Sequence, residues 1–120
     1  MTDINAGISP KTEKLYELTP ASSALAIDLS KFSSFNFKWE HTDGDVVTFS
    51  NPPIGVSLMR LLITNPGDGT DIVFSPTMHE AGGTEPTWTA VGLDIVTVLI
   101  VNDGTTVTYY QLGIIQAVAD

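Results

Sequence analysis

Leu93–Leu112, LDIVTVLIVNDGTTVTYYQL, limits what this chain can become more than any other stretch. Two runs of Val, Ile, Leu, Thr and Tyr flank Asp103-Gly104. β-Branched and aromatic side chains suit a pleated, half-buried surface, and Asp-Gly supplies the left-handed backbone of a two-residue type I′ turn. The pattern predicts a long hairpin with Asn102 opposite Thr105, Ile100 beside Val107, Leu99 beside Thr108 and Val98 beside Tyr109. The first strand is apolar on both sides: Ile95, Leu99 and Val101 on one, Val96, Val98 and Ile100 on the other. Such a strand needs two covers, a second sheet and another subunit.

The rest of the chain reads as strands and turns. Leu25, Ile27 and Leu29 alternate with Ala26 and Asp28, as in a half-buried strand. Phe35, Phe37, Trp39 and His41 alternate with Asn36, Lys38 and Glu40, which directs three aromatic rings into a core. Asp43-Gly44 then suggests a second hairpin spanning Phe35–Ser50. Asn51-Pro52-Pro53 interrupts pairing, since neither proline can donate to a ladder. Val56–Thr64 is again apolar on both faces, with Val56, Leu58 and Leu62 opposed to Met59, Leu61 and Ile63. A short strand at Ile72–Phe74 precedes Ser75–Thr89, which has prolines, paired glycines and no periodicity and reads as a long surface loop. Gly113–Asp120 is an apolar tail whose Ile114 and Ile115 call for a partner. No segment carries a helical stripe. The expected fold is all-β, an antiparallel β-sandwich or flattened β-barrel of about seven or eight strands.

Residues 1–22 are polar and broken by Gly7, Pro10 and Pro20, so they read as an extended N-terminal arm with a short strand at Lys14–Leu18. Residues 23–120 form a single β domain on this reading. Two readings stay open for the arm: a frayed terminus, or a segment that orders on a neighbouring subunit through Ile4, Ile8, Leu15 and Tyr16.

Charge narrows the partners. The 120 residues carry 14 acids against five Lys and Arg, a net charge of −9, and no base follows Arg60. An acidic, base-free second half repels phosphate backbones, so no nucleic acid is expected as partner. Only 16% of residues are charged, against roughly 25% in an average globular protein, which fits a surface partly withheld from water. The longest apolar run, Ile95–Val101, is too short to span a bilayer, and Met1–Asn5 is acidic with no apolar segment behind it, so neither a membrane nor a secretory signal is expected.

The chemistry-bearing residues form no catalytic set. There is no Cys, and the histidines are His41, on the aromatic face of its strand, and His79, beside Glu80. His41 reads as a core or rim residue rather than a ligand, and His79-Glu80 lacks the second histidine of a helical zinc motif. Asn65, Asp68 and Asp71 in NPGDGTD offer hard oxygen donors, but their spacing is not that of an EF-hand and these residues are ordinary turn formers. The expectation is therefore no enzyme, no metal and no cofactor. Arg60 is the one charge within a two-sided apolar strand. It either snorkels at the sheet rim or pairs with an acid, within the subunit or across an interface. Trp88 is either a loop anchor packed on the domain or a contact residue.

Between Ala24 and Leu112 the chain resembles small β-sandwich domains of tailed-bacteriophage virion proteins, namely capsid decoration (cement) proteins and head- or tail-fibre domains. The resemblance rests on LAIDLS, on VTFSNPPIGVSLMRLLIT, and on GGTEPTWTAVGLDIVTVLIVNDGTT with its Gly82, Gly83, Thr84, Pro86 and Thr87, followed by a closing Thr/Tyr strand. It implies a non-enzymatic virion structural protein on the capsid surface, assembled in the host cytoplasm, trimeric, and bound to the major capsid protein or other virion proteins. Fibres usually carry such modules inside longer chains, whereas here the module follows a short arm, which favours decoration over fibre. Ile4, Ile8, Lys11, Lys14, Leu15, Tyr16, Arg60 and Trp88 are the expected partner-binding residues. The alternative is a fibre component or a receptor- or carbohydrate-binding module that uses Trp88 and the Ser75–Thr89 loop.

Overall fold

A computed structural model describes residues 12–21, 24–41, 46–64, 72–80, 88 and 92–118. They form two sheets and a single helical turn. The strands are β1 (Tyr16–Glu17), β2 (Ala24–Asp28), β3 (Asn36–Glu40), β4 (Val46–Ser50), β5 (Gly55–Thr64), β6 (Val73–Ser75), β7 (His79–Glu80), β8 (Leu93–Asn102) and β9 (Val107–Val118). The large sheet has the order β1-β3-β5-β8-β9-β7, and the small one β2-β4-β6. The all-β expectation holds.

The pairing is not antiparallel throughout. Only β5–β8 and β8–β9 run antiparallel; the ladders β1–β3, β2–β4, β3–β5, β4–β6 and β7–β9 are parallel. The expected Phe35–Ser50 hairpin does not form, because β3 lies in the large sheet and β4 in the small one. Phe37 and Trp39 of β3 and Val47 and Phe49 of β4 are all buried. Each strand has one apolar face. Placing the strands in opposite layers lets those faces meet, whereas a hairpin would set all four side chains on one side of one sheet.

The two sheets share one core. Phe49 of the small sheet stacks on Tyr109 of the large one, with ring centroids 5.6 Å apart, and Phe74 and then Trp88 extend the row at 6.0 and 6.1 Å. At the other end, Phe32 meets Tyr16 and Phe37 edge-on at 4.7 and 4.9 Å. Burial pushes the Tyr109 phenol above its ordinary pKa. Leu29, in the 3-10 turn Leu29–Lys31, closes the core beneath the Asp28 cap, whose Oδ1 accepts from the Ser30 N–H at 3.1 Å.

The β8–β9 hairpin forms, but two residues out from its expected register. Asn102 faces Val107, Ile100 faces Tyr109 and Leu99 faces Tyr110. A type I′ turn needs left-handed backbone at both central residues. Here Gly104 has φ +91° and Asp103 does not join it. Asp103 instead uses its side chain: Oδ1 accepts from the N–H groups of Thr105 and Thr106 at 2.8 and 2.7 Å, and its own N–H donates to the Thr106 carbonyl at 3.2 Å. These bonds stabilise a four-residue loop. A shift of two keeps every side chain on its expected face, since the strand period is two. The apolar tail is not a separate segment, for β9 continues to Val118.

Candidate assembly surface

Period-two alternation in β5, β8 and β9 creates two apolar faces on one sheet. The inner face holds Met59, Leu61, Val96, Val98, Ile100 and Tyr109, all at 2% exposure or less. The outer face is ordered by the ladders into cross-strand rows. Val56, Val101 and Thr108 form one row, Leu58, Leu99 and Tyr110 the next, Arg60, Thr97 and Gly113 a third, and Leu62, Ile95 and Ile115 a fourth. No described element covers these rows. Val56 is 69% exposed, Ile115 62%, Leu112 51% and Leu58 48%. Fully burying one such aliphatic side chain stabilises by roughly 1.5–3 kcal/mol, which the single chain forgoes here. A contiguous apolar patch of this kind marks an interaction site.

Arg60 is the only charge on the outer face of these three strands among the described residues. Its Nη1 donates to Glu13 Oε2 and to Asn36 Oδ1, each at 3.4 Å. Of the two expectations for Arg60, pairing with an acid within the subunit is the one observed. The acid comes from the arm. Around it the arm root is fixed to β3 and the turn before it: the Lys14 carbonyl accepts from Ser34 Oγ at 2.7 Å and Asn36 Nδ2 at 3.4 Å, and Leu18 N–H donates to the Lys38 carbonyl at 2.8 Å. Tyr16 shares a 2.8 Å hydrogen bond with Ser33 Oγ, which lowers its phenol pKa. The Lys14 ammonium sits 5.0 Å from the Tyr16 ring centre, and Leu15 is exposed. Lys14, Leu15, Tyr16 and Arg60 are thus brought together. The strand expected at Lys14–Leu18 is β1, laid parallel on β3. Ile4, Ile8 and Lys11 lie outside the described residues.

Trp88 is elsewhere. It belongs to the shared core, 9% exposed and tilted against Phe74, so its ring is packed rather than presented. The Ser75–Thr89 segment is not uniformly a surface loop: Met78 is buried and His79–Glu80 pairs parallel with Tyr110–Gln111. Residues 81–87 and 89 of that segment fall outside the described residues, as do Asn65, Asp68 and Asp71. His41 is buried, continuing the aromatic face of β3, with its backbone N–H donating to the Thr64 carbonyl at 2.9 Å. His79 is exposed, its ring 5.6 Å from that of Tyr110. Among the described residues no three of His, Cys, Asp or Glu converge as a metal site, and no helix is long and apolar enough to cross a membrane. A groove of about 450 Å³ runs between Glu17–Pro20 and the Lys38–Glu40 edge of β3.

The surface residues that sequence reading passed over as a site are Val56, Leu58, Tyr110, Leu112, Gly113 and Ile115. The signal was present in the double-sided apolar pattern, which grouped Val56, Leu58 and Leu62 on β5 and Ile95, Leu99 and Val101 on β8 and left Ile115 in need of a partner, without joining them into one surface. No family model, curated protein or solved structure matches the chain.

Proposed function

We propose that this chain is a non-enzymatic structural protein of a tailed-bacteriophage virion, a capsid decoration protein whose two layers form a β-sandwich and whose arm grips the major capsid shell. The observation that carries this reading is the uncovered apolar outer face of β5, β8 and β9, a surface suited to permanent burial in an assembly. Two further features support it. The arm root is tied to the domain at Glu13–Leu18, so the segment before it leaves from a fixed point on the sheet. Between Ala24 and Leu112 the sequence resembles decoration and fibre domains, which implies three copies at a capsid surface. The alternative role of Trp88 as a glycan platform gains no support from a ring packed in the core.

The test is reconstitution. Particles of the encoding phage made without this protein should regain heat resistance when the purified chain is added. A chain lacking Met1–Thr12 should fold normally and fail to bind. Binding that survives the deletion removes the arm from the reading, and failure of the full chain to bind removes the reading itself.

A further inference from the structure

Gly113 lies in the interior of β9, in the outer row with Thr97 and Arg60. A glycine inside a strand costs roughly 0.5–1 kcal/mol relative to alanine, so its presence calls for a reason. Three reasons are usual: a backbone that only glycine adopts, a bulge, or the close approach of another chain or ligand. The first is absent, because the described glycines with left-handed φ are Gly55, Gly92 and Gly104. A register irregularity does sit beside it, where Leu112 is the extra residue between the Val98–Gln111 and Thr97–Gly113 pairs. Yet the conformation at Gly113 is open to any residue. Nor does its own chain crowd it: a Cβ built there meets nothing within 4 Å. Gly113 is therefore a depression in the apolar face, bordered along β9 by the exposed Leu112 and Ile115.

We infer that copies of this chain associate through the outer face of β5, β8 and β9, with an aliphatic side chain from that face of one copy seated in the Gly113 depression of another. Shape and charge both select a second copy. The face carries projecting side chains, Leu58 and Ile115 among them, beside a hollow bordered by Leu112, Ile115 and Thr97, so the same surface supplies both knob and socket. A chain of net charge −9 repels itself wherever acids face each other. Among the described residues the only charge on the outer face of these strands is Arg60, paired with Glu13, and Asp94 of β8 is buried on the inner face, so two copies meet without setting like charges together. A partner recognised through basic groups would gain nothing from this face and would be drawn to the acidic surfaces instead. The inference rests on the proposed reading of the chain as an assembly protein and assigns one of its interfaces.

The experiment measures the mass of the full-length chain in solution by light scattering or sedimentation, for the natural sequence and for Gly113→Thr, Gly113→Glu and Val56→Asp. The natural chain should form a stable oligomer of the 12.8 kDa protomer. Gly113→Thr puts a β-branched residue into a strand with room for it. It should leave the protomer's circular dichroism unchanged while weakening association by at least about tenfold, a factor equal to 1.4 kcal/mol. Gly113→Glu and Val56→Asp should give monomers of native spectrum. If Gly113→Glu misfolds, Val56→Asp decides, because its side chain already lies in water. A monomeric natural chain, or oligomers that persist in folded Gly113→Glu or Val56→Asp, overturns the inference. Shell binding is scored separately: a monomer that still decorates capsids sinks this interface alone, and an oligomer that ignores capsids sinks the virion reading alone.

Discussion

The two faces of the large sheet are built from nearly the same side chains and meet different fates. On β8, Val96, Val98 and Ile100 point inward and are fully buried, whereas Ile95, Leu99 and Val101 point outward and stay half-exposed. The first set belongs to one core cluster with Leu25 and Phe49 of the small sheet, where Phe49 stacks on Tyr109. The second meets water. Hydrophobicity alone therefore does not place a residue in a core; the number of layers the chain can supply does. The small sheet has three short strands and covers one face of a six-stranded sheet. Among the described residues no layer covers the other face.

This contrast breaks most sharply under truncation. Ile100→Ala removes buried methyl groups from a site at 0% exposure and should cost the protomer roughly 2–5 kcal/mol. Leu58→Ala, on the opposite face at 48% exposure, should cost the isolated protomer less than about 1 kcal/mol. Urea unfolding of both variants, at a concentration where the natural chain is monomeric or in the Val56→Asp background, checks the pair. Equal losses would mean that the outer face is covered within the chain.

How far the sequence could lead differs between these same regions. The faces of β5 and β8 were readable because a period of two is local: Met59, Leu61 and Ile63, and Val96, Val98 and Ile100, grouped by alternation, are all buried, whereas Phe35 of the three rings expected in the core is only partly so. The partners of β3 and β4 were not readable. A polar-apolar alternation states that one face is covered, but not whether the cover is a neighbouring layer or lies across a hairpin. Parallel ladders between strands far apart in sequence leave no local mark. The hairpin register slipped by two because Asp103 was read for its backbone preference, while its carboxylate, bonded to two N–H groups, sets the loop length. At the surface, Arg60 was legible as a residue in need of an acid. That the acid is Glu13 of the arm depends on β1 pairing parallel with β3, which no motif announces.

The Arg60–Glu13 pair joins the arm to the edge of the apolar face, so it tests whether the two act as one surface. Both groups are well exposed, 43% and 54%, and the separation is 3.4 Å. An ion pair of that kind is worth about 0–1 kcal/mol and weakens as salt rises. Glu13→Gln should therefore barely move the unfolding midpoint. Its effect should fall on proteolysis of the arm root, which should quicken at low salt and match the natural chain in high salt. A rate unchanged at both salt levels would show the hydrogen bonds of Lys14, Tyr16 and Leu18 to be sufficient anchors.

The smallest effect belongs to Asp103, at the tip that joins the two long strands carrying both faces. Hydrogen bonds from the Thr106 and Thr105 N–H groups hold its carboxyl below the usual carboxylate range. A group with a depressed folded-state pKa contributes stability above its unfolded value, near 3.9, and loses that contribution as pH falls through the folded value. The Asp103→Ala variant should then be slightly less stable than the natural chain at neutral pH, and the gap should close as the solution is acidified past that range. Asp103→Asn keeps an acceptor oxygen but no charge, so it should lie between the two at neutral pH and converge with the natural chain in acid. Hydrogen exchange at Thr105 and Thr106 gives the local readout. A gap that stays constant with pH would show that the loop is held by its backbone and the Asn102–Gly104 contact alone, with both faces of the sheet indifferent to the ionisation of Asp103.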